Sequence, residues 1–394
     1  MVGMRFIGAQ LFLSILTSSV VVLVNTRPST AQTSAGFEAA LTQIDRMAQT
    51  ELGQDDIGSL TVGVVKQGAL VWTKSYGFAD MAARKVATVD TVYRIGSITK
   101  PFTALMLLQL VERGVVRLSD PVERYLPAIN EVQNRIDGAP PISLVQLATM
   151  TSGLGREPEG LPTYLVGPVD EWALVMRNAL PHVEYSFEPD THYHYSNIGY
   201  AVLGAALAEA SGRPFVDYMT EEIFRPLGMT QTAFEPNPEI QGHLAIGYGV
   251  TDGVIDPDTP AREHAGRGYK VPNGAMYTTV GDLAKFLAFQ LGHGPDNVLA
   301  RETVADNFTR VNSANGDLST GYGVGFQAIR RDGFVTYGHG GSVAGYRAAA
   351  FIARDSQVGV IVLRNVGGGT FRVTDFCLQA LEVLVESEES TAAH

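Results

Sequence analysis

Gly96-Ser97-Ile98-Thr99-Lys100 opens a run in which Ile98, Phe102, Leu105, Met106, Leu108 and Val111 recur at helical spacing. The pattern predicts a helix that reaches about Gly114 and carries Ser97 at its start. On such a helix an S-x-x-K spacing places the Ser97 hydroxyl and the Lys100 amine one turn apart on one face. Serine is a weak nucleophile until a neighbouring base takes its proton, and a lysine does so only where burial or nearby positive charge favours its neutral form. With 20 serines and six lysines in 394 residues, Ser97 and Lys100 are the only such pair. Chance gives roughly 0.3 matches, so the spacing alone is also compatible with an N-cap serine and a solvated lysine one turn on.

The texture on either side of this helix sets the architecture. Upstream, Phe37, Leu41, Ile44 and Met47 predict a helix, and β-rich runs from Leu60 to Lys66 and Leu70 to Phe78 flank Gln67-Gly68-Ala69 as a hairpin. Downstream, helical patterns lie at Leu144 to Met150, Ile198 to Ala210, Phe215 to Phe224 and Val280 to Leu291. β texture returns at Tyr322 to Ile329, Phe334 to His339, Ala348 to Ile352 and Val358 to Leu363, before a last helix from about Phe371 to Glu386. Strands at both ends with helices between them predict an α+β fold: one antiparallel sheet built from both chain ends, flanking helices and an inserted helical lobe. The expected organisation is a single bilobed domain over 36–386, with 36–96 and 320–386 in the α/β lobe and 97–319 in the mainly helical one.

Composition fits a globular chain, with 45% hydrophobic and 18% charged residues. A formal net charge of -12 gives no reason to expect affinity for nucleic acid or anionic membrane surfaces. The single cysteine, Cys377, rules out an intrachain disulfide and a cysteine-based metal site, and reads as a small buried hydrophobe. At the N-terminus, Arg5, a mostly apolar run from Phe6 to Val24, and small residues at Ser29 and Ala31 predict a signal peptide over 1–31. That places the protein in the periplasm or outside the cell; an uncleaved membrane anchor is the alternative, and the only route to a membrane association.

Two further motifs are candidates for a site. Tyr195-Ser196-Asn197 precedes an apolar helical run, where a tyrosine can pass a proton and an asparagine can both donate and accept. Gly338-His339-Gly340-Gly341-Ser342 follows the β-run from Phe334. Its missing side chains would let a substrate lie along the backbone, whose N–H groups can hold a developing oxyanion, although an ordinary glycine-rich turn reads the same way.

In order, these motifs resemble the S-x-x-K, Y-x-N and K/H-x-G triplet of the serine β-lactamase-like hydrolases, which include class C β-lactamases, DD-carboxypeptidases, D-aminopeptidases and β-lactamase-like esterases. The resemblance covers about Ala39 to Val385, and Thr151-Ser152-Gly153-Leu154 and Pro272-Asn273-Gly274 look like further family segments. It implies that Ser97 is acylated, that Lys100 and Tyr195 share the base role, and that Asn197, His339, Gly341 and Ser342 bind substrate, with the Ser97 and Ser342 N–H groups as oxyanion hole. It implies no metal or organic cofactor, and a small-molecule or short-peptide substrate. Gly340 stands where many β-lactam-binding members carry a hydroxyl, and His339 where they carry lysine. An ester, amide or D-amino-acid peptide substrate is therefore expected ahead of efficient β-lactam hydrolysis, with weak penicillin acylation. Met150 replaces a histidine common before the T-S-G-L segment, and reads as a packing difference.

Three rival readings remain. Gly340 to Ala344 approximates the nucleophile elbow of α/β-hydrolases around Ser342, but lacks its last glycine. His192 and His194 suggest zinc without a third ligand at a recognisable spacing. A sensor on the same fold would bind or be acylated without turning over.

Overall fold

The computed structural model describes residues 34–392, apart from 55, 161–165, 257–266, 310, 315, 317 and 318. The expected signal peptide lies outside the described residues. Among the described residues, nine strands form one antiparallel sheet: β1 (Ser59–Lys66), β2 (Ala69–Asp80), β3 (Lys85–Val86), β4 (Val311–Ser313), β5 (Thr320–Gly323), β6 (Gln327–Arg330), β7 (Val335–Val343), β8 (Tyr346–Ala353) and β9 (Val358–Arg364). Their order is β3-β2-β1-β9-β8-β7-β6-β5-β4, so the two chain ends meet where β1 pairs with β9, Val62 opposite Val362.

Period-two alternation sorts the central strands onto two apolar faces. Leu60, Val62 and Val64 of β1 join Val358, Val360 and Val362 of β9 and Ala349 and Phe351 of β8 under two helices, α1 (Ala35–Gly53) and the C-terminal α5 (Val373–Ala392). Phe37, Ile44 and Leu381 are fully buried there, as is Cys377, and full burial of a side chain such as Phe or Leu contributes about 1.5–3 kcal/mol. On the opposite face, Ile361, Leu363, Ala348, Ala350 and Ile352 join the larger core, which also holds the central helix α2 (Thr99–Glu112) and α4 (Val280–Ala288). A Cβ on Gly63 would lie 2.5 Å from Val280 Cγ2, so glycine there lets α4 lie on β1.

Two expectations need correction. The stretch 97–319 does not stay apart from the sheet: α4 covers its second face and β4 extends its edge, because both faces of so apolar a sheet must be covered. The run from Tyr322 to Ile329 is two strands, β5 and β6, paired as a hairpin and broken at Gly325, whose φ is +88°. A Cβ on Gly325 would lie 2.4 Å from the Ala104 Cβ, so the break is where the hairpin meets α2. Among the described residues, no helix is long and apolar enough to cross a membrane.

Candidate active site

Ser97 lies in a short 3-10 turn, Gly96–Ile98, that leads into α2, whose residues from Thr99 to Leu110 are all buried. The glycine-rich motif is not a turn after a strand but the second half of β7, and it runs against this serine turn. A Cβ on Gly341 would sit 1.9 Å from the Ile95 carbonyl oxygen and 3.3 Å from Ser97 N. One on Gly96, where φ is +51°, would sit 2.8 Å from Ser342 N. Two absent side chains thus let strand and turn touch backbone to backbone, bringing the Ser97 and Ser342 N–H groups into one junction.

Lys100, on the first turn of α2, is fully buried. Its Nζ lies 3.1 Å from Ser97 Oγ and donates to Asn197 Oδ1 at 2.7 Å and the Asn273 carbonyl at 3.0 Å. Burial, then the charge of Lys270, holds its pKa well below the usual 10.5; Glu157 opposes this and Arg156 adds to it. The Tyr195 hydroxyl is close enough to Ser97 to influence it, and the Tyr195 ring lies 4.8 Å from Lys100 Nζ and 4.8 Å from the Arg156 guanidinium carbon. Burial raises the Tyr195 pKa despite the nearby Ser97 hydroxyl and the Arg156 charge.

Asn197 begins α3 (Asn197–Ser211). Ser196 caps that helix, its Oγ accepting from Gly199 N at 2.9 Å and donating to the Gly155 carbonyl at 2.8 Å. The Arg156 carbonyl accepts from the N–H groups of Asn197, at 2.9 Å, and Ile198, at 3.3 Å, and Asn197 Nδ2 donates to Glu157 Oε1 at 2.6 Å. Met150 is more than a packing difference: its φ is +62° and its Sδ accepts from Ser196 N at 3.2 Å, so it helps hold the Y-x-N turn.

His339 on β7 is 2% exposed. Its Nδ1 meets the Gly340 carbonyl, which can only accept, so Nδ1 carries the proton and Nε2 accepts from the Tyr322 hydroxyl at 3.0 Å. Burial, and then the Lys100 charge, lowers its pKa to about 3, which keeps it neutral. The site therefore has no cation at the third motif; its positive charges are Lys270 and Arg156 at the Asn197 end and Arg347 and Arg372 at the β7 end. These residues line a cleft of about 820 Å³ together with Ser97. A Cβ on Gly340 would lie 2.8 Å from Thr374 Oγ1, so a hydroxyl from α5 fills the place of the one that the motif lacks.

The structure thus brings together Ser97, Lys100, Tyr195, Asn197, His339, Gly341 and Ser342, the whole predicted set. Ser342 enters through its backbone, on a strand and not on the strand-to-helix turn that an elbow nucleophile occupies. His192 is exposed, and no group of three or more metal-ligating side chains occurs among the described residues. Sequence reasoning missed Glu157, Arg156, Lys270, Tyr322 and Thr374, none of which carries a motif; Pro272-Asn273-Gly274 was a usable signal, since Asn273 bonds both Lys100 and the Asn197 carbonyl.

A two-faced antiparallel sheet with a serine–lysine–tyrosine cluster at its junction with a helical layer defines a β-lactamase/transpeptidase-like protein. The family model described as Beta-lactamase matches residues 44–383, and the chain belongs to that family. It is 26% identical over 339 residues to Beta-lactamase-like protein 2 of Dictyostelium discoideum, a match covering 84% of this chain and 60% of that protein. The chain therefore spans less than two thirds of that relative's length. Among solved structures, it superposes on the octameric penicillin-binding protein homologue of Pyrococcus abyssi with a TM-score of 0.73 at 25% identity, covering 88% of this chain and 77% of that one. The fold is also that of EstCE1, a hydrolase with promiscuous acyltransferase activity, with a TM-score of 0.74 at 19% identity, covering 89% of this chain and all of that one.

Proposed function

We propose that the protein is a serine hydrolase that works through an acyl-enzyme on Ser97, acting on an ester, an amide or a D-amino-acid peptide bond. The observation that carries this reading is a fully buried Lys100 whose Nζ lies 3.1 Å from Ser97 Oγ. Because burial favours the neutral amine while it raises the Tyr195 pKa, Lys100 is the base and Tyr195 works as a neutral hydroxyl that relays the proton. Ser97 Oγ attacks the substrate carbonyl as its proton passes to Lys100, and the Ser97 and Ser342 N–H groups receive the oxyanion. The proton then reaches the leaving group through Tyr195, and water, deprotonated by the same pair, hydrolyses the acyl-serine.

Thr374 and Arg347 on the β7 side, where Arg372 is already paired with Asp375, suit a substrate with an acidic group beyond the scissile bond. This restores part of the carboxylate recognition that Gly340 and a neutral His339 withhold, so weak penicillin acylation belongs to the same reading. To test it, a p-nitrophenyl ester and a fluorescent penicillin are each mixed with the protein and with Ser97→Ala. Turnover is expected to fall at least about ten-thousandfold in the variant, with labelling lost. Equal behaviour of the two proteins would sink the assignment, and stable labelling without turnover would point to a sensor.

A further inference from the structure

Asn197 stands between the cleft and the buried lysine, and its amide has two chemically different ends. One end, Oδ1, accepts from Lys100 Nζ at 2.7 Å; the other, Nδ2, donates to Glu157 Oε1 at 2.6 Å. A charged Lys100 would fix that orientation unaided, because an ammonium only donates. A neutral Lys100, the form a base must have, carries a lone pair and no longer discriminates. If the amide turned over, Nδ2 could donate into that lone pair and occupy the orbital that has to accept the Ser97 proton. A carboxylate beside Asn197 prevents this, since it only accepts and holds Nδ2 away from the lysine.

We propose that Glu157 is a positioning residue that locks the Asn197 amide with Oδ1 toward Lys100, and so keeps the Lys100 lone pair available to Ser97. The inference rests on the reading of Lys100 as the base. Its geometry is built: Gly155 and Arg156 are strapped to Ser196, Asn197 and Ile198 by backbone and hydroxyl bonds, which keeps the Glu157 backbone beside the amide that its side chain faces. Lys270 Nζ lies 3.5 Å from the same Glu157 Oε1, a second positive contact on the oxygen that accepts from the amide. Besides Glu157, the charged or titratable groups acting on Lys100 or packed around it are Lys270, Arg156, Tyr195, Tyr200 and His339.

Glutamine at this position can present either end of its own amide, so Glu157→Gln permits the flipped pair, whereas Glu157→Asp keeps a group that only accepts. The experiment measures kcat and KM for a p-nitrophenyl ester across pH, after a fluorophosphonate has confirmed labelling of Ser97 in the wild-type chain. Glu157→Gln is expected to lower kcat by roughly tenfold or more with KM nearly unchanged. The acidic limb of its profile should move to lower pH, because a negative charge near Lys100 has been removed. Glu157→Asp should recover most of kcat. A Gln variant with wild-type kcat, a loss confined to KM, or equal losses in Gln and Asp with an unmoved limb would overturn the proposal while leaving Ser97 as nucleophile. A wild-type chain that the fluorophosphonate leaves unlabelled takes down both readings.

Discussion

Ser34 and Ser97 both stand at the start of a helix, before α1 and before α2, and the fold uses them in opposite ways. Ser34 is spent on structure: its Oγ accepts from Phe37 N at 3.2 Å and caps a helix that buries one face against the sheet. Ser97 caps nothing, as neither the 3-10 turn nor α2 has a side-chain cap. Its hydroxyl faces Lys100 and Tyr195, and the close approach of β7 fixes the turn. The Ser97 hydroxyl is thus left free of a capping role where strand and turn pack backbone to backbone. Ser196, which caps α3 while its neighbours Tyr195 and Asn197 enter the site, is the intermediate case.

The sharpest way to break this contrast is to disturb the junction that frees Ser97. Gly341→Ala places a methyl group 1.9 Å from the Ile95 carbonyl oxygen, so the strand must withdraw and the oxyanion donors separate. Ester hydrolysis should fall by roughly a hundredfold or more, the scale of losing one oxyanion donor. Activity within a few-fold of wild type would show that the junction does not hold the site.

The second effect is one of pH. In the proposed mechanism Lys100 works as the neutral amine, and its pKa lies well below 10.5, so kcat/KM should rise with pH along an acidic limb below the ordinary lysine range. A limb near the ordinary lysine value would mean that burial does not tune Lys100.

The smallest effect belongs to the structural serine. Ser34→Ala should lower unfolding stability by about 1 kcal/mol, the usual worth of an N-cap, and leave turnover unchanged. A comparable loss of activity would mean that α1 and the catalytic face are coupled.

The alternation of Leu60, Val62 and Val64 and the helical spacing of Phe37, Leu41 and Ile44 made the sheet and α1 legible, because their side chains answer to one neighbouring layer. The predicted break points failed where two layers meet: Gly325 interrupts a β-run because α2 lies against it, and the glycines of the third motif extend a strand. The same division holds at the site. Sequence alone determined the order Ser97, Lys100, Tyr195, Asn197, His339, since each lies in a motif whose members are neighbours along the chain. Only the tertiary structure decided that Lys100 is fully buried beside Ser97, that His339 is spent on Tyr322 and its own strand, and that Glu157 and Thr374 complete the cleft. Protonation and orientation depend on what surrounds a group in space, and those surroundings come from segments far apart in the chain.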